Sequence, residues 1–146
     1  MKISRKALCL AYGLLAVLAL VGTWGNNVQY LSLGFLGANL RFWQDTLANP
    51  ASRSITVDVL FLFVAVSIWM FLEARRLGMR GAWLYVILGV FIAISVTFPL
   101  FLLNRERALQ RQGGEAKGGQ LGTVEIAGLL LFALVGCAYT VAALSR

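Results

Sequence analysis

Residues Ala82–Leu103, AWLYVILGVFIAISVTFPLFLL, run for 22 positions without a formal charge. As one α-helix at 1.5 Å per residue this run measures about 33 Å, enough to cross a hydrocarbon core of about 30 Å once. Three more uncharged runs occur in the same chain: Ala7–Trp24, Val59–Leu72 and Ile126–Leu144. The first and last approach spanning length, at 18 and 19 residues, whereas Val59–Leu72 has only 14. Spanning segments must satisfy their own backbone hydrogen bonds, so they are helices or closed barrels. No two-residue alternation of the barrel kind is present. The predicted fold is all-α: an integral membrane four-helix bundle forming a single domain over residues 1–146. Its spans fall at about 7–24, 55–76, 82–103 and 123–144, with a flexible linker at 104–121.

Composition agrees. The chain is 60% hydrophobic with a mean hydropathy of +0.80, against about 45–50% apolar in a soluble domain. The net charge of +7 does not point to nucleic acid. The basic residues flank apolar runs, where anionic headgroups attract them, and no basic recognition helix or aromatic sheet motif is present. Membrane lipids are the expected partners. Cys9 and Cys137 lie inside apolar runs and read as small packing residues. There is no histidine, so neither haem with a histidine ligand nor a histidine-held metal is expected. A Ser-His-Asp site is excluded for the same reason, and no phosphate-binding or dinucleotide motif is present. The reading leans away from an enzyme.

Lys2, Arg5 and Lys6 precede the first run, which is longer than a usual signal-peptide core of about 7–15 residues. A retained first helix is expected, with a cytoplasmic N-terminus by the positive-inside rule. Four spans then return the C-terminus to the cytoplasm of a bacterial inner membrane. This arrangement gives seven basic residues inside (Lys2, Arg5, Lys6, Arg75, Arg76, Arg80, Arg146) and six outside (Arg41, Arg53, Arg105, Arg107, Arg111, Lys117). Trp24 and Tyr30 fall where an outer aromatic belt belongs. Within the oily loop 25–54, Leu40, Trp43 and Leu47 share one face, which predicts a short interfacial helix over Asn39–Ala48.

Asn49-Pro50 is a helix start, a capping residue followed by proline at the first helical position. The uncharged part of the second helix rises only about 21 Å. That helix therefore carries Asp58 or Glu73 to the hydrocarbon edge, where a carboxylate needs partners. Ser54 is one turn from Asp58, and Arg76 is three residues from Glu73, so both pairs are expected to bond. Ser54, Asp58, Ala65, Trp69 and Arg76 fall near one stripe. Pro99 predicts a kink near Ser95–Pro99, and the glycine pairs at 113–114 and 118–119 predict mobility at 110–120. Gly128, Phe132, Gly136 and Thr140 give the last helix a stripe of mostly small residues. Glu125 at its start favours the positive end of the helix dipole.

The stretch Phe42–Leu109 contains Leu47-Ala48-Asn49-Pro50-Ala51-Ser52, Asp58 and Glu73-Ala74-Arg75-Arg76-Leu77-Gly78-Met79. Phe98-Pro99-Leu100-Phe101-Leu102-Leu103 and Arg105-Glu106-Arg107-Ala108-Leu109 follow. In order and spacing it resembles the bacterial membrane family catalogued as domain of unknown function 2834. The resemblance implies a fold and no activity. It singles out polar residues at membrane edges, with Glu73, Arg75 and Arg76 expected inside and Asn49, Asp58, Arg105 and Glu106 outside. Two such clusters either lock the second helix to the third or hold the polar head of a lipid-like ligand. The candidate contacts are Asn49, Ser54, Asp58, Trp69, Glu73, Arg76, Arg105 and Glu106. The leading expectation is a bundle that binds an apolar molecule of lipid, quinone or carotenoid type, or that serves as a subunit of a membrane complex or homo-oligomer. A membrane enzyme of isoprenoid-type substrates and a small transporter or channel subunit are the alternatives.

Overall fold

The computed structural model describes residues 4–113 and 122–145. All regular elements among them are helical: α1 (Arg5–Asn27), α2 (Gly34–Asp45), α3 (Pro50–Arg76), α4 (Ala82–Leu88), α5 (Ile94–Arg111) and α6 (Thr123–Leu144). A 3-10 turn, Val28–Leu33, joins α1 to α2, and a wide π turn, Gly89–Ala93, joins α4 to α5. Four helical segments, Arg5–Asp45, Pro50–Arg76, Ala82–Arg111 and Thr123–Leu144, are long and apolar enough to cross a membrane. The mobility expected at 110–120 falls mostly on residues outside those described.

The helix ends follow local chemistry. Ser4 caps α1 by accepting from the Ala7 amide at 3.1 Å. Asn49 accepts from the Ser52 amide at 2.9 Å, while the Ser52 hydroxyl accepts from the Asn49 amide at 3.3 Å. This reciprocal cap and Pro50 at the first position start α3 as the sequence predicts. Gly78, at φ +62°, ends α3 in the left-handed conformation, which lets the Met79 amide reach back to the Ala74 carbonyl at 2.8 Å. The helix in the oily loop exists, but it occupies Gly34–Asp45 rather than Asn39–Ala48.

The third segment is not one rod. A continuous helix would separate residues 85 and 101 by about 24 Å. Instead the Tyr85 and Phe101 rings meet edge to face with centroids 5.5 Å apart, and the Asn104 amide donates to the Tyr85 hydroxyl. The chain therefore turns back on itself between α4 and α5. The reversal lies at Gly89–Ala93, where Ala93 is extended (φ 176°, ψ 142°). This corrects the single span expected at Ala82–Leu103. Pro99 is the sixth residue of α5 and lies buried in it, where it withdraws only one helical hydrogen bond. The residues read as the start of a linker at 104 continue α5 to Arg111.

Contacts along the helices set their directions. Arg5 approaches Glu106, a Cβ at Gly13 would lie 3.9 Å from Leu103, and the Trp24 indole donates to the Ile92 carbonyl at 3.2 Å, so α1 runs against α5. Trp69 meets Phe98 and Phe101, and Glu73 meets Arg105, so α3 runs with α5. A Cβ at Gly22 would sit 3.1 Å from the Thr140 hydroxyl, and one at Gly25 would sit 2.5 Å from Leu144, so α6 runs with α1. Gly22 and Gly25 are where α1 admits α6. The start of α1 and the end of α6 accordingly lie at opposite ends of the bundle. The core is small. Met70 and Phe101 are fully buried beside Ala74 and Val86, with Phe63, Val66, Tyr85 and Phe98 packed around them.

Candidate ligand groove and ion cluster

The hairpin turn brings residues expected on opposite faces to one end of the bundle. Glu73 in α3 accepts from Arg76 Nε and Nη2, each at 2.6 Å, and from Arg105 Nε of α5 at 2.6 Å. Arg105 Nη1 donates to Glu106 Oε1 at 2.8 Å, and Arg5 of α1 lies 3.6 Å from the other Glu106 oxygen. Both carboxylate side chains are only 8% exposed. The Arg105 guanidinium also lies 5.9 Å from the centre of the Trp69 ring, within cation–π range. The result is one charge-assisted network tying α1, α3 and α5 together. Its three guanidiniums exceed its two carboxylates by one positive charge. Gln112, just past α5, donates to the Leu77 carbonyl at 2.9 Å and fastens the end of α5 to the turn after α3.

Of the eight residues singled out from sequence, Trp69, Glu73, Arg76, Arg105 and Glu106 therefore meet in one place. The division of Glu73 and Arg76 from Arg105 and Glu106 is corrected, because it assumed that Ala82–Leu103 crosses once. Asn49 is a helix cap at the other end of α3. Ser54 and Asp58 are exposed, and neither makes a hydrogen bond or ion pair among the described residues. The bond expected between them is absent among the described residues. Glu125 accepts from the Gly122 amide at 2.5 Å, so it caps the start of α6, in keeping with its dipole reading. Arg5 was seen only as a topology signal. Its place in the cluster follows from α1 lying against α5, which no local pattern encodes.

At the opposite end of the bundle is an open groove of about 520 Å³. Trp24 and Asn27 of α1, Tyr30 and Leu31 of the 3-10 turn, and Phe35, Asn39, Phe42 and Trp43 of α2 line its walls. The hairpin tip supplies Leu88, Val90, Phe91 and Ile92. Gly34, at φ +72°, makes the bend that swings α2 back over the tip, where Phe35 meets Phe91 with ring centroids 6.2 Å apart. The Tyr30 hydroxyl donates to Asp45 at 2.9 Å, and Arg41 pairs with the same carboxylate at 3.1 Å, which holds the turn to the end of α2. Trp24 and Tyr30 were legible as aromatics at and just beyond the end of the first apolar run. Their convergence on the hairpin tip was not.

Among known proteins, neither a curated protein nor a solved structure matches the chain. A family model does. It covers residues 11–107, a longer stretch than Phe42–Leu109, and takes in most of α1, the hairpin turn, the groove and every cluster residue except Arg5. The helix α6 lies outside it. This chain therefore belongs to the family described as protein of unknown function DUF2834.

Proposed function

We propose that this chain is a multi-pass membrane protein of a bacterial inner membrane that binds an apolar, lipid-like ligand in the groove under α2. The observation that carries the reading is the groove itself, an aromatic-lined concavity with few polar groups, within the size range of about 300–1,000 Å³ usual for small-molecule sites. The outward faces of α1, α3 and α6 support membrane insertion, since they present long runs of exposed Leu, Val, Ile and Phe that water would not tolerate.

The hairpin also sharpens the orientation. Among the described residues, Arg5, Lys6, Arg75, Arg76, Arg80, Arg105, Arg107 and Arg111 lie toward the cluster end, and only Arg41 and Arg53 lie toward the groove end. Eight against two is a strong bias, where the same ten residues divide five against five if Ala82–Leu103 crosses once, and the positive-inside rule then favours a cytoplasmic cluster end. The groove opens at the outer interface, where the amphipathic α2 and its exposed Phe35, Leu36 and Leu40 suit the headgroup boundary. In this arrangement the ion cluster is a fastening that holds the hairpin so that its tip floors the groove.

A second reading, as a subunit of a larger membrane assembly, is favoured by α6, which has no buried residue, and by the exposed Asp58 of α3, which has no side-chain partner among the described residues. Purification in native lipid followed by mass spectrometry of bound small molecules tests the leading reading. A molecule enriched over bulk lipid, and lost in a Phe35→Ala, Phe91→Ala double variant that keeps its helical content, is the expected result. Bound material identical to bulk lipid, or unchanged in the variant, counts against it.

A further inference from the structure

We infer that the groove takes a planar, carbonyl-bearing headgroup on an apolar tail, the chemistry of a lipid quinone, in preference to a pure hydrocarbon or an acyl chain. This rests on the groove being the ligand site. Five side-chain donors line it, and three are already committed. The Trp24 indole donates to the Ile92 carbonyl at 3.2 Å. The Asn39 amide donates to the Phe35 carbonyl at 2.8 Å. The Tyr30 hydroxyl donates to Asp45 at 2.9 Å. The Asn27 amide and the Trp43 indole N–H make no hydrogen bond among the described residues, although both side chains line the groove.

A ligand seated there packs against both residues. A hydrocarbon offers their N–H groups no acceptor, which costs free energy wherever it covers them. A ring bearing carbonyl oxygens supplies the acceptors. Its flat face also suits walls made of Trp24, Phe35, Phe42 and Phe91, because aromatic rings pack by offset stacking or edge to face. No acidic side chain lines the groove.

The test is tryptophan fluorescence of the full chain in detergent, titrated with a decyl-substituted benzoquinone. A Trp69→Phe, Trp83→Phe variant leaves Trp24 and Trp43 as the only reporters. Saturable quenching is expected in this variant. Adding Asn27→Leu, or replacing Trp43 by Phe with Trp24 as the reporter, is expected to weaken binding about tenfold, the effect of roughly one hydrogen bond. Circular dichroism confirms that each variant keeps its helices. β-Carotene and phosphatidylglycerol are titrated in parallel. Saturable binding of either one without binding of the quinone overturns the headgroup assignment and leaves the groove as a ligand site. Quinone affinity unchanged in both donor variants also overturns it. No saturable binding of any of the three overturns the groove reading as well.

Discussion

Replacing Arg105 by Met tests the central feature of the fold, because Arg105 touches both carboxylates of the cluster. Methionine keeps much of the length and apolar volume of the stem while removing the guanidinium. The change takes the 2.6 Å contact from Glu73 and the 2.8 Å contact from Glu106. Removing one partner of a buried ion pair costs about 3–5 kcal/mol, because the remaining charge is left poorly solvated. Here Glu73 keeps Arg76, Glu106 keeps Arg5, and the Arg105 side chain is itself 24% exposed. The lower end, about 3 kcal/mol, is therefore expected. For a chain of this length that lowers Tm by about 6–12 °C, readable as loss of helical ellipticity on heating in detergent. A double-mutant cycle with Glu73→Gln should give a coupling of about 1–3 kcal/mol. If Arg105→Met moves Tm by less than about 2 °C and the two changes add, Arg105 and Glu73 are not neighbours, and the hairpin that joins them is wrong.

Three further outcomes follow from the same geometry. With Cys9 and Cys137 replaced by Ala, cysteines placed at Arg80 and at Arg111 should label from the same side of the membrane, and a tag after Ser145 should be reached from the other; opposite-side labelling of 80 and 111 would restore the four-span topology. Gly89→Ala places a Cβ 2.9 Å from the Phe63 ring and 3.1 Å from the Thr97 hydroxyl, so a loss of about 1–3 kcal/mol is expected from overpacking. Gly128→Ala on open α6 should be neutral or stabilising by up to about 1 kcal/mol, and equal melts for these two variants would refute the close packing at the hairpin. Asp58→Ala should change the stability of the isolated chain by no more than about 0.5 kcal/mol, because the carboxylate is exposed and has no partner among the described residues; a drop of about 1–3 kcal/mol would reveal a buried contact.

The existence and type of the helices were legible because they depend on local chemistry. Uncharged runs near spanning length, the Asn49-Pro50 start of α3, the glycine after Leu77 and the Glu73–Arg76 pair are all settled within a few residues of the chain. The family resemblance likewise rested on short runs that survive any change in tertiary arrangement. What the sequence did not reveal is that Ala82–Arg111 holds two antiparallel helices. Twenty-two uncharged residues satisfy a single crossing as well as a hairpin, because hydropathy measures how apolar a run is and not which way it points. The reversal depends on contacts between residues 16 and more positions apart, namely Tyr85 with Phe101 and Asn104, and on Trp24 from another helix bonding the Ile92 carbonyl at the break. Once the chain turns there, every later residue changes ends. Arg105 and Glu106 join Glu73, Arg5 completes the network, and α6 finishes opposite the start of α1. Local sequence thus determined which segments are helical and apolar, and tertiary structure alone decided their directions, since a helix buries the same face whichever end enters first.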